Sequence, residues 1–161
     1  MAWNTPSTWL AGAVLTAAQL NAQLRDNFKA IGDPWTAYTP ALTGITLGNG
    51  TLVAAYSQAG KLVQFRAQLT VGSTTSFGVT NTIGLPVSCV SFRWRFSGEA
   101  FDNGTANYPI SGRVSPTTST TRMELVYRST AALNDQLVTG SAPFTLGSGD
   151  VISISGTYEA A

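Results

Sequence analysis

Apolar residues in this chain recur at the helical period of about 3.6 up to Ile31 and alternate with a period of 2 from Tyr38 onward, and that switch constrains the fold more than any other feature. Helix signals bracket the first segment. Thr16 stands as an N-cap before Ala17, Ala18 and Gln19, and Gly32 with Pro34 supplies a stop. The spacing predicts one helix over residues 17–31, roughly 22 Å long at about 1.5 Å per residue. An isolated helix of that length is only marginal in water, so it needs a partner. Ala17, Leu20, Leu24 and Ile31 follow the alternating three-four spacing of a heptad seam, with Asn27 at the intervening seam position and Phe28 widening the stripe. A polar Asn in such a seam sets register and strand number. Two heptads fall short of the roughly three or four that define a coiled coil from sequence. Packing of the stripe on the chain's own β-domain, or on another protein, therefore stays open beside self-association.

The arm before this helix contains Trp3, Thr5-Pro6 and Thr8-Trp9, then Ala11-Gly12-Ala13-Val14-Leu15, with no charged residue before Arg25. Such a segment is too apolar to remain solvated. Trp3, Trp9, Val14 and Leu15 are expected to anchor on a partner surface, where Trp is a common hot-spot residue; folding back on the helix and head is the alternative. Residues 1–34 thus read as an anchoring arm and helix, and residues 35–161 as a β-head with Trp35 and Tyr38 at the junction.

The clearest strand covers residues 61–71, where Val63, Phe65, Ala67, Leu69 and Val71 alternate with Gln64, Arg66, Gln68 and Thr70. A second has Val90, Phe92, Trp94 and Phe96 inward against Ser91, Arg93, Arg95 and Ser97. A third sets Met123, Leu125 and Tyr127 against Arg122, Glu124, Val126 and Arg128, and a fourth sets Ile152, Ile154, Gly156 and Tyr158 against Val151, Ser153, Ser155 and Thr157. Weaker strands are expected over residues 51–56, 79–83, 108–114 and 144–146, making about eight. Turn chemistry separates them at Gly48-Asn49-Gly50, Ala59-Gly60, Asp102-Asn103-Gly104, Ser115-Pro116 and Gly147-Ser148-Gly149-Asp150. The pattern predicts a mainly β, antiparallel sandwich or jelly roll.

Charged residues make up only 11% of the chain, against about a quarter in an average soluble protein. Net charge is +1, which gives no electrostatic case for nucleic acid or an anionic membrane. No stretch approaches the roughly 20 apolar residues of a membrane span. No Lys or Arg precedes the apolar run before the helix, so a signal peptide is not expected.

The chain has no histidine and one cysteine, Cys89, which removes the usual nucleophile pairs, zinc-type spacings and any intrachain disulfide. Among the acids, Glu99 and Asp102 are the one close pair, and they flank a turn where Asp is expected. Neither catalysis nor a bound cofactor is expected, and loop oxygens at Asp102-Asn103 and Gly149-Asp150 do not form a calcium motif. Arg66, Arg93 and Arg95 lie on polar strand faces, where they either recognise a carboxylate, an anionic glycan or a neighbouring subunit, or remain solvated, with Glu124 as an intrachain partner. Tyr108 is a candidate loop aromatic for surface recognition.

Trp3, Thr5-Pro6, Thr8-Trp9, Gly12, Thr16-Ala17-Ala18, Leu20-Asn21 and Leu24-Arg25-Asp26-Asn27 together resemble the opening of small virion proteins of tailed bacteriophages infecting actinobacteria, of the head-fibre, decoration and minor tail type. The resemblance continues through Trp35-Thr36-Ala37-Tyr38-Thr39-Pro40, Leu47-Gly48-Asn49-Gly50-Thr51 and Gly60-Lys61, thins in the middle and returns at Gly156-Thr157-Tyr158-Glu159-Ala160. It implies a homotrimer with a jelly-roll-like head and no catalytic role. The expected partners are further copies of the chain and a major capsid or tail protein of the virion, with the capsid surface favoured as the location. The alternative is a tail-associated fibre or receptor-binding module that recognises host cell-surface glycans.

Overall fold

The computed structural model describes residues 4–129 and 134–161, so Trp3 lies outside the described residues. Thr16 caps the helix as its sequence context predicts. Its Oγ1 accepts from the Gln19 N–H at 3.2 Å, while Gln19 Oε1 accepts from the Thr16 N–H at 2.9 Å, a reciprocal capping box. The helical run has three parts: α1 (Ala17–Leu20), a π-wound stretch (Asn21–Asp26) and α2 (Asn27–Gly32). It stops where Gly32 and Pro34 predict, with Asp33 already extended. A π turn holds more residues than an α turn, so a four-residue repeat drifts less around the axis. Leu20, Leu24 and Phe28 therefore stay on one side.

The remainder is antiparallel β-structure. The first strands are β1 (Thr36–Ala37), β2 (Leu42–Thr46), β3 (Thr51–Ala59), β4 (Leu62–Thr70) and β5 (Ser76–Gly84). Then come β6 (Trp94–Asp102), β7 (Ala106–Val114), β8 (Arg122–Arg128), β9 (Asp135–Leu137) and β10 (Val151–Glu159). They form one hydrogen-bonded sheet in the order β1-β3-β4-β10-β6-β7-β8-β5-β2, with β9 added to β8. β1, β2 and β9 escape the alternation rule, and residues 144–146 are not a strand. There Phe144 and Leu146 pack against the core from a loop instead.

Connectivity forces this sheet to curl. β2 lies at one end of the strand order and β3 next to the other end, yet only residues 47–50 join them. In a flat sheet the two would be seven strand spacings apart, about 34 Å, whereas the Cα atoms of Thr46 and Thr51 can be separated by at most about 18 Å. The sheet closes the gap by curling into a half-barrel. Val63, Phe65 and Leu69 of β4, Phe96 of β6, Met123 and Leu125 of β8, and Ile152, Ile154 and Tyr158 of β10 fill its inside.

An aromatic cluster lies in that interior. Phe65 and Phe96 meet edge-on with centroids 4.9 Å apart, and Tyr158 sits 5.9 Å from each. Glycines make the room: Gly156 is the cross-strand partner of Phe65, and a Cβ there would stand 2.6 Å from Phe96 Cδ1. Gly98, opposite Ile154, is equally restricted, since a Cβ would stand 2.4 Å from the Ser153 carbonyl oxygen.

The predicted strand at residues 90–97 begins late. The N–H of Cys89 bonds to the Thr120 carbonyl and that of Val90 to the Glu159 carbonyl, so residues 90–93 cross the sheet's end before β6 can join the ladder at Trp94. Phe92, expected inward, is consequently exposed and rests edge-on against Trp94. Val126, expected outward, is buried between Ser111 and Leu137 in the β7-β8-β9 ladder.

Two outcomes test this packing. Gly98→Ala should lower the urea midpoint with little change in slope, a loss of about 1–3 kcal/mol from overpacking against fixed backbone. The Tyr158 hydroxyl donates to the Val87 carbonyl at 2.7 Å, and burial pushes its pKa from 10.0 up to about 12. Because the unfolded chain loses this proton first, stability should be intact below pH 10 and fall as pH rises toward about 12. Denaturant melts of the protein and of Tyr158→Phe across that range read the tyrosine's share; an equal decline in both would assign it elsewhere.

Candidate functional site

The helix has two unlike faces. On one, Gln23 and Asn27 sit four residues apart and hold the arm by its backbone. A primary amide carries a donor and an acceptor, so it can pair with a peptide as another peptide would. Asn27 Oδ1 accepts from the Asn4 N–H at 2.8 Å, and Asn27 Nδ2 donates to the Asn4 and Gln23 carbonyls at 3.2 Å each. Gln23 Oε1 accepts from the Ser7 N–H at 3.0 Å, while its Nε2 donates to the Thr5 carbonyl at 3.1 Å. Asn4 Nδ2 completes the set on the Ala22 carbonyl at 3.0 Å. The arm thus runs antiparallel to the helix. Asn27 is buried beneath it, which corrects the seam reading: its amide is consumed inside the chain and does not face out with the leucines.

The other face carries Leu20, Leu24, Phe28 and Ile31, all exposed, Phe28 to 70%. Neither the head nor the described arm covers it. Ala17 is also exposed, and Ala30 is the buried apolar residue where α2 meets β3. In the arm, Trp9 and Leu10 are exposed, Val14 is 90% exposed and Leu15 is half-buried. The Arg25 guanidinium hydrogen-bonds Asp26 at 2.8 Å and holds that carboxyl below its usual range.

On the head, the residues expected to act in recognition are dispersed. Arg66 points outward from β4 with its guanidinium 4.9 Å from the centroid of the Trp35 ring. Trp35 therefore lies on the sheet's outer face, while Tyr38 packs edge-on against Tyr56 at 5.7 Å. Arg95 is ion-paired to Asp135, whose carboxyl that hydrogen bond holds below the usual range. Glu124 pairs at 2.8 Å with Arg113 and not with Arg93 or Arg95. Arg93 precedes β6 and is exposed. Tyr108 is no loop aromatic: it belongs to β7 and stacks on Phe144 with centroids 4.7 Å apart.

Strand order brings together what chain order separates. β10 lies between β4 and β6, so Ser155 sits between Arg66 and Ser97, and Ser153 between Gln68 and Glu99. Glu99 is exposed on this face, while Asp102 ends β6 at the turn. Alternation places Arg66, Gln68, Ser97, Ser153 and Ser155 outward, while Glu99, expected at a turn, instead continues β6; their adjacency is not readable without the topology. The two loops weighed for calcium also meet, but Asp150 accepts from the backbone N–H groups of Asn103 at 2.9 Å and Gly147 at 2.6 Å. Among the described residues no three acidic or cysteine side chains converge, and no helix is long and apolar enough to cross a membrane.

Compared with protein-family models, with curated proteins and with solved structures, the chain has no match.

Replacing Asn27 by Leu leaves the Asn4 N–H and carbonyl without their amide partner, a local loss of about 1–3 kcal/mol that loosens the arm still held at Gln23. Amide hydrogen exchange at Asn4 and Ser7 should accelerate while β4 and β10 retain their protection. Unchanged exchange at Asn4 would sink the clamp.

Proposed function

We propose that this chain is a non-enzymatic structural protein of a tailed-phage virion, a homotrimeric decoration or short head fibre whose arm and helix attach a jelly-roll-like head to the capsid surface. The observation that carries this reading is the apolar stripe of Leu20, Leu24, Phe28 and Ile31, which the chain leaves uncovered on a helix it has otherwise capped and clamped. A short helix contributes little stability by itself and gains it from tertiary or quaternary packing of its apolar face. Copies meeting around an axis turn one stripe into a closed core. The exposed Trp9, Leu10 and Val14 then remain to grip the particle. The resemblance of residues 1–40 to small virion proteins supports the same assignment, and the low charge suits a surface made to assemble.

Native mass measurement tests the assembly. The full-length protein should be a trimer and Leu24→Glu a monomer with an intact head, since a charge in an apolar seam is costly. A trimer in both would move the association into the heads. Truncation of residues 1–33 should leave a folded head that fails to join particles, and incorporation at full occupancy would refute the anchor. Labelling particles with antibody to the head separates capsid attachment from tail attachment.

A further inference from the structure

The outward face of β3, β4, β10 and β6 holds a solvent-open trough of about 600 Å³, and we propose that it binds a short saccharide. The trough follows β10, whose outward residues there, Ser153 and Ser155, are too small to fill it. Arg66 and Gln68 on β4 form one wall, and Ser97 and Glu99 on β6 the other. Among the described residues, the three serine hydroxyls, the Gln68 amide and the Glu99 carboxylate have no hydrogen-bond partner in the chain, and neither Arg66 nor Glu99 makes an ion pair. Six polar groups thus converge unspent on one concavity. Arg66 is also held in place by its contact with Trp35, so part of the ordering cost of binding is met beforehand.

The mixture of groups selects the ligand class. A simple anion would face Glu99 and a simple cation would face Arg66. An apolar partner, or a second copy without matching charges, would bury both uncompensated, which is costly. A sugar's hydroxyls donate to the carboxylate, accept from the guanidinium and do either with serine, so a polyhydroxylated chain satisfies every group at once. The exposed Val53 at the rim offers an apolar surface to the ring C–H groups. This inference concerns the head alone and stands apart from how the chain assembles.

Isothermal titration of the full-length protein with three probes tests it: a neutral hexose oligosaccharide, an N-acetylhexosamine oligosaccharide and a hexuronate-containing oligosaccharide. At least one should bind. Glu99→Gln and Arg66→Met should each weaken that binding about tenfold, the scale of one lost charge-assisted hydrogen bond. Ser155→Trp, which fills the floor, should abolish it, and all three variants should keep the native mass of the parent. Failure of every probe to bind, or binding indifferent to Ser155→Trp, would overturn the proposal. A changed native mass in Ser155→Trp would overturn it too, by making the trough a contact between copies. None of these results depends on whether the protein joins a particle.

Discussion

The short link between β2 and β3 is the constraint on which the head depends. Residues 47–50 tie together two strands that the hydrogen-bonding order places near opposite ends of the sheet, so the sheet must roll. Rolling gives it an inside, and the inside collects Phe65, Phe96 and Tyr158 beside glycines whose missing side chains leave room for the rings. The link itself is well held. Asn49 Oδ1 accepts from the N–H and hydroxyl of Thr74 at 2.9 Å each, and Thr75 Oγ1 donates to the Leu47 carbonyl at 2.6 Å, so the 47–50 and 72–75 turns brace each other. Both are crossings between distant parts of the strand order, and they meet at one end of the roll.

How much of this was legible in the sequence follows from what each signal measures. The helix was read almost to the residue, because capping boxes and Gly-Pro stops act locally. β4 and β10 were read correctly for a similar reason: each is long, central and buried on one face. β1, β2 and β9 were missed because they are short strands whose pairing, not their own alternation, makes them strands. Residues 90–93 alternate faultlessly and still are not a strand, since the chain is tied across the end of the sheet through the Cys89 N–H to Thr120 and the Val90 N–H to Glu159, and the Val90 carbonyl accepts from the Phe92 N–H. Periodicity reports which way a side chain would face if paired. It does not report whether the chain is free to pair.

The candidate sites divide along the same line. Outward placement of Arg66, Gln68, Ser97, Ser153 and Ser155 is visible in the alternation, whereas Glu99 reads as part of a turn, and the trough exists only because β10, the last strand, inserts between β4 and β6. A non-local contact of that kind has no signature in a local pattern. Asn27 is the reverse case. Its heptad position was apparent and its role was misassigned, because the π-wound stretch changes the phase of the helix and the arm supplies a partner that spacing could not reveal.

That reassignment bears on what kind of assembly the helix can support. Were position 27 apolar, the stripe would extend around to the arm's face, and the helix would offer two adhesive surfaces. Two such surfaces on one chain permit open, non-closing association, whereas a single one favours a closed ring of copies. The Asn27 and Gln23 amides instead bind the chain's own arm through hydrogen bonds whose geometry fits one backbone path. They occupy that face with a segment of the same molecule and leave one apolar stripe outward. In a protein with a net charge of only +1, long-range repulsion does little to limit association, and a helix face already occupied by the chain's own arm is one apolar surface fewer on which copies could meet.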